Sequence, residues 1–205
     1  MSTLSYYTQR LGGKFAPYSQ AAQIARKGLA SRQGICTSCS LTYLAMDRSR
    51  LKFGEEKDKQ TTMAFIDSGQ NLYESPLQTP SSIPNLSAQA ENLITGLGFK
   101  ALEHSGPSWA PNVVAATFIR AREKYFLVWM PLHACAAIRT AGAAGDGRVK
   151  FFDPNYGQAT FANTNKFEFF LATYLSDLKI MENYGMGGGG LGTGVGDPTF
   201  VYLLA

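Results

Sequence analysis

Apolar and polar positions follow different periods in different parts of this chain. From Cys36, the stretch CTSCSLTYLAMDRSRLKF places small or apolar residues at 36, 39, 40, 43, 44 and 46. That is close to the spacing of a helix buried on one side, and its Leu, Ala and Met favour the helical state. Gly34 breaks the chain just ahead, so Cys36 is expected in the first turn. Upstream, SQAAQIARKGL offers Ser19 as an N-cap before good helix formers. SAQAENLITGLGF reads as another helix, with Ser87 at its start and Gly96 and Gly98 at its end. After Pro111 the pattern changes. VVAATFIRA, KYFLVWM, HACAAIRT and VKFFD are rich in β-branched and aromatic residues and predict strands, with REK and AGAAGDGR as hairpin-like connections. NKFEFFLATYLSDLKIM returns to helix, and TFVYLLA predicts a last strand in the sheet. Helices first, then a meandering sheet, then one helix and one strand make an α+β pattern.

Several segments carry no period. Residues 1–20 read as a flexible N-terminal arm, which leaves residues 21–205 as a single domain. EEKDKQ is a charged, solvated break. NLYESPLQTPSSIPNLS, with Pro76, Pro80 and Pro84, is a loop. GMGGGGLGTGVG has 8 glycines in residues 185–196 and reads as a flexible loop. It is not a phosphate cradle, because no Lys-Ser/Thr follows it and no helix opens after it.

Composition narrows the classes. Of 205 residues 45% are hydrophobic, enough to build a core, so wholesale disorder is excluded. Residues 1–60 carry 10 Lys/Arg against 4 Asp/Glu, net +6, and the remaining 145 carry 9 against 11, net −2. No basic run interleaves with aromatics, so nucleic acid is not an expected partner. The longest apolar run, YFLVWMPLHACAAI, is broken by Pro131 and His133 and is too short to span a bilayer. MSTLSYYTQRLGGKF lacks the apolar region of a Sec signal. Three cysteines cannot all pair with one another, which points to free thiols in a reducing compartment.

The candidate chemistry rests on few residues. His104 lies in the polar stretch ALEHSGPSW and reads as solvated surface. His133 opens the apolar strand HACAAIRT, where an imidazole needs a polar partner. Asp153 closes VKFFD one hairpin later. Antiparallel neighbours can bring the two side by side, with Asp153 accepting the Nδ1–H of His133. Cys36 would feel the positive end of its helix, and a neighbouring imidazolium would favour thiolate further. Thiolate attacks acyl carbons, and the first backbone amide of the helix offers an oxyanion donor, with the side chain of Gln33 as a second candidate. A competing set is metal binding: Cys36, Cys39, His133 and Cys135 form C-x2-C and H-x-C pairs, four soft ligands for tetrahedral zinc on a non-catalytic scaffold. The same thiol set could also transfer acyl groups or deamidate glutamine, since a thioester can meet water or an amine.

GICTSCSLTYL, HACAAI and FFDPNYG resemble three motifs of the YopT-type cysteine proteases, papain-like enzymes that bacterial pathogens inject into host cells. The last motif is the most specific, and the order Cys, His, Asp matches. The family's segment Gly-x-Cys-x-x-Leu-Ser-x-x-Trp reads here as Gly34, Cys36, Cys39 for Leu, Ser40, and Tyr43 for Trp. The resemblance implies a papain-like catalytic domain whose nucleophile helix packs on an antiparallel sheet. It implies Cys36 as nucleophile, His133 as base and acid, and Asp153 as orienting carboxylate, with no metal and no cofactor. Ser31 stands five residues before Cys36, where papain-like enzymes place an oxyanion side chain. The resemblance further implies a monomer that leaves the bacterium without a Sec signal, through a specialised secretion system. Its partners would be a host protein substrate and a secretion chaperone.

Overall fold

Residues 2–28, 34–74, 88–104, 111–120, 123–130, 132–140, 147–185 and 200–205 are described by the structure, a computed structural model. The chain opens with α1 (Thr3–Arg10), capped by the Ser2 side chain on the Ser5 amide, and β1 (Lys14–Pro17). Residues 1–20 are thus not a free arm. Leu4 is fully buried and β1 pairs with another strand, so this segment is tied down by core packing and by a sheet edge that its irregular hydropathy conceals. Next come α2 (Gln20–Lys27), capped by Ser19 as its sequence predicts, and α3 (Cys36–Arg48). A short helix, α4 (Phe53–Glu56), runs into the charged break, and α5 (Gln60–Glu74) starts at its last residue. α6 (Ala88–Gly96) and β2 (Ala101–His104) follow. His104 therefore ends a strand, while its side chain lies outside the described part, as do Ser31, Gln33, Ser87 and the glycine-rich residues 186–199.

VVAATFIRA, which starts at Val113 and is read as a strand, falls instead in a helix, α7 (Pro111–Arg120). Pro111 suits the first helical position, where its missing N–H costs nothing. Val114, Ala115 and Phe118 lie on the buried side at helical spacing, so the β-branched residues are outvoted by the period. The four strands β3 (Tyr125–Met130), β4 (His133–Arg139), β5 (Val149–Asp153) and β6 (Gly157–Phe161) run as successive hairpins. The last helical stretch splits into α8 (Thr164–Leu175) and α9 (Leu178–Asn183), because Asp177 stops one helix and caps the next through the Lys179 and Ile180 amides. β7 (Phe200–Leu204) ends the chain.

The seven strands among the described residues form one antiparallel sheet in the order β1-β6-β5-β4-β3-β7-β2. The terminal strand is inserted between β2 and β3, as TFVYLLA predicts. Helices cover both faces of the sheet. One core joins α3, α5 and α6 to the face carrying Leu127, Ala134, Ala136 and Phe152; the other joins α1, α7, α8 and α9 to the face carrying Phe126, Cys135, Ala137 and Phe151. Being covered on both sides explains why β3 and β4 read as nearly continuous apolar runs and not as alternating ones. No helix among the described residues is long and apolar enough to cross a membrane.

Candidate active site

Three elements end at one place. β4 begins there with His133, β5 ends there with Asp153, and α3 begins there with Cys36. In the β4–β5 ladder Ala136 faces Phe152 and Ala137 faces Phe151. Continuing that register puts Asp153 beside Cys135 and diagonal to His133 on the same face. The carboxylate and the imidazole meet there: His133 Nε2 lies 3.0 Å from Asp153 Oδ1, with both side chains buried. The ring nitrogen facing Asp153 is Nε2, not the Nδ1 expected from sequence, so Nδ1 is left for the thiol. The His133 ring also stacks on Tyr184 from the end of α9, at 4.1 Å between centroids and 16° between planes.

Asp153 is surrounded by donors. Its Oδ1 accepts the Asn155 amide at 2.8 Å, and its Oδ2 accepts the hydroxyls of Tyr174 and Tyr184, each at 2.7 Å. Burial works against its charge, but His133 and the two tyrosines outweigh it and hold the carboxyl below its usual range. Burial, and then the Asp153 charge, push both tyrosines up, so they stay protonated donors. Neither tyrosine carries a sequence signal. They stand 21 and 31 residues after the aspartate and reach it only because α8 and α9 fold back across the sheet.

Cys36 is half-buried at the start of α3. Burial raises its thiol, but hydrogen bonds from His133, the Ala134 backbone and the Thr37 hydroxyl overcome this and lower it below the ordinary thiol value. His133 shows the complement: burial disfavours its charge, yet Asp153 and then the Cys36 sulfur raise it to about 9. The two shifts run in the directions that favour thiolate beside imidazolium. α3 itself has no side-chain cap from Ile35. Its Ser38 amide is accepted instead by the buried Gln70 of α5, at 3.3 Å. Gly69 permits that approach, since a Cβ there would stand 2.4 Å from Ser38 Oγ. Ser40 Oγ donates to the Ala134 carbonyl at 2.9 Å and docks the helix on the histidine strand.

The other cysteines lie elsewhere in function. Cys39 is fully buried, its thiol donates to Tyr18 Oη at 3.3 Å, and burial pushes it up to about 12. Cys135 is also fully buried and is pushed well up, first by burial and then by the Asp153 carboxylate. The four-ligand zinc set of Cys36, Cys39, His133 and Cys135 is therefore not assembled. Among the described residues the group close enough to share an ion is His133, Cys135 and Asp153, within 4.8 Å. Both Asp153 oxygens there are already occupied by donors. Tyr43, where the resembling family has Trp, stacks on Phe152 at 4.5 Å, on the opposite face of β5 from Asp153.

A cysteine at a helix start, near a histidine that opens a strand, thus sits on an α+β fold of the papain-like kind. Residues 125–190 match the family model of the Yersinia/Haemophilus virulence surface antigen, Peptidase_C58. That segment carries His133 and Asp153 but not Cys36. The crystal structure of the Pseudomonas avirulence protein AvrPphB is similar over 98% of each chain, with a TM-score of 0.60 at 16% identity. PatoxP, a cysteine protease-like domain of the Photorhabdus asymbiotica toxin PaTox, gives a TM-score of 0.49 at 16% identity over 98% of this chain and 56% of that one. None of the curated proteins matches the sequence. The family-model match supports a cysteine peptidase, and the likeness to AvrPphB shows a shared fold.

Proposed function

We propose that this chain cleaves a host protein through Cys36, His133 and Asp153. The observation that carries this reading is the buried 3.0 Å His133–Asp153 contact, with Cys36 at the start of α3 near enough to the same ring for that histidine to lower its thiol. The Cys36 thiolate attacks the scissile carbonyl carbon. The developing oxyanion meets the N–H groups at the start of α3, which a helix cannot satisfy internally. Imidazolium Nδ1–H protonates the leaving amine and a thioester remains. His133 then takes a proton from water, hydroxide adds to the thioester, and the carboxylic product and thiol are released. Asp153 keeps the ring oriented and stabilises its charge throughout.

The family's description as a virulence antigen supports delivery into a host cell, and a host protein as substrate. The test is incubation of wild type and Cys36→Ala with host-cell lysate, followed by mapping of new protein N-termini. New termini that appear only with wild type are the expected result. Deamidated glutamines or acyl adducts without new termini would overturn proteolysis in favour of the acyl-transfer and deamidation chemistry open to the same thiol. Unchanged cleavage by Cys36→Ala would remove Cys36 from the reaction.

A further inference from the structure

Residues 14–20 follow the turn that carries Asp153. β1 pairs with β6 from Lys14 opposite Thr160 to Pro17 opposite Gly157. The strap then continues with the Tyr18 amide donating to the Tyr156 carbonyl at 3.1 Å and the Gln20 amide to the Pro154 carbonyl at 2.7 Å. The fit is close: a Cβ on Gly157, whose φ is +133°, would lie 2.2 Å from the Ala16 carbonyl oxygen. At the end of the strap the buried Gln20 side chain spans two segments. Its Nε2 donates to Asn155 Oδ1 at 2.6 Å, and its Oε1 accepts the Ile35 amide at 2.8 Å. Asn155 in turn donates its own amide to Asp153 Oδ1. On the far side, the Ile35 carbonyl accepts the Cys39 amide at 2.8 Å. The residue before the nucleophile is therefore held at both of its backbone polar groups, one of them by Gln20 alone. The N–H of Cys36 belongs to the peptide plane that begins at the Ile35 carbonyl, so fixing residue 35 fixes where that N–H points.

We propose that Gln20 is a positioning residue that locks the nucleophile end of α3 to the Asp153–Asn155 turn and so sets the orientation of the Cys36 amide and thiol toward His133. This rests on the assignment of Cys36, His133 and Asp153 as the reacting set. Gln20 touches neither the thiol nor the imidazole in this account. It acts by joining the two halves of the site, which arise from segments more than a hundred residues apart in sequence.

The experiment measures the rate at which iodoacetamide alkylates Cys36 of the full chain as a function of pH, resolved by peptide mass. It compares wild type with Gln20→Met and Asn155→Ser. Met has a similar length and fills the space but can neither donate to Asn155 nor accept from Ile35. Ser keeps the backbone bond to Asp153 but cannot reach Gln20. For both variants the acidic limb of the profile should move upward, with Cys36 reactivity near pH 6 falling about tenfold for Gln20→Met, the equivalent of about one pKa unit, and less for Asn155→Ser. A lower melting temperature with an unmoved limb would make Gln20 structural only and overturn the inference. The Ile35 amide of wild type, followed by hydrogen exchange, gives a readout that needs no variant to fold. It should exchange slowly, and exchange at the rate of a solvated amide would equally overturn the inference. Wild-type Cys36 unreactive at mildly acidic pH would instead sink the triad assignment itself, which separates the two failures.

Discussion

The two halves of the site are held in different ways. The histidine–aspartate half is secured by its own neighbours: paired strands, four hydrogen bonds onto Asp153 from residues 133, 155, 174 and 184, and a ring stacked on His133. The cysteine half begins a helix with no cap of its own. It is held by side chains sent from elsewhere, Gln20 on the Ile35 amide and Gln70 on the Ser38 amide. A charge buried on the sheet must be fully bonded, because an unpaired carboxylate in that setting is costly. A thiolate at a helix start needs N–H groups left open for the oxyanion, so an ordinary N-cap there would compete with the chemistry.

The largest effect is expected at Asp153. Asp153→Asn keeps the shape but loses the charge, and one oxygen becomes a donor among donors. We expect kcat to fall by roughly 10²–10⁴-fold, the range for losing support of a general acid–base. The measurement is steady-state kinetics on a cleaved substrate, with circular dichroism to confirm the fold. Activity within threefold of wild type would show that the carboxylate does not orient His133.

The pH dependence follows next. His133, raised from 6.5 to about 9, contributes stability that is fully present below 6.5 and is lost as pH rises through about 9. In the proposed reaction its proton goes to the leaving group, so kcat/KM should fall about tenfold per pH unit above that point. Asp153, lowered from 3.8, adds stability present above 3.8 and lost as pH falls through its depressed value. Thermal melts between pH 3 and 10 should thus lose stability at both ends. A melting temperature flat above pH 8 would contradict the raised histidine.

A smaller effect is expected at Tyr184. Tyr184→Phe keeps a ring on His133 and removes one of several donors to Asp153. Stability should drop by about 1.5 kcal/mol, the lower end for a bond to a charged acceptor, and turnover by a few-fold only. A collapse like that of Asp153→Asn would show that the donors are not redundant. The smallest effect belongs to Cys39, one turn from the nucleophile but facing Tyr18. Cys39→Ala should leave kcat/KM unchanged and cost roughly 1 kcal/mol in a denaturant melt, as for loss of a small buried group.

The same contrast governs what could be read from the chain. β3, β4, β5 and β7 were legible because local β-branched and aromatic runs coincide with their pairing. Cys36, His133 and Asp153 were legible because each sits at the end of an element that its own neighbours define. The ring nitrogen facing Asp153 was not, because it depends on where Cys36 approaches from. α7 was misread, since residue type and period disagreed and the period won. The segment of α1 and β1 was misread as an arm because its structure comes from contacts with β6 and α8, far along the chain. Gln20, Gln70, Tyr174 and Tyr184 had no signal at all: a glutamine or tyrosine on a helix is ordinary until the fold aims it at an amide or a carboxylate.

In the proposed site one thiol of three, Cys36 at the start of α3, is ionised by His133. Limited iodoacetamide treatment of the folded wild-type chain at mildly acidic pH, followed by mass mapping of all three cysteines, tests it most directly, with His133→Ala as the comparison. Label is expected on Cys36 alone, lost at that pH in His133→Ala and regained only at alkaline pH. Equal labelling of Cys36 and Cys39, or Cys36 labelling indifferent to His133, would contradict it.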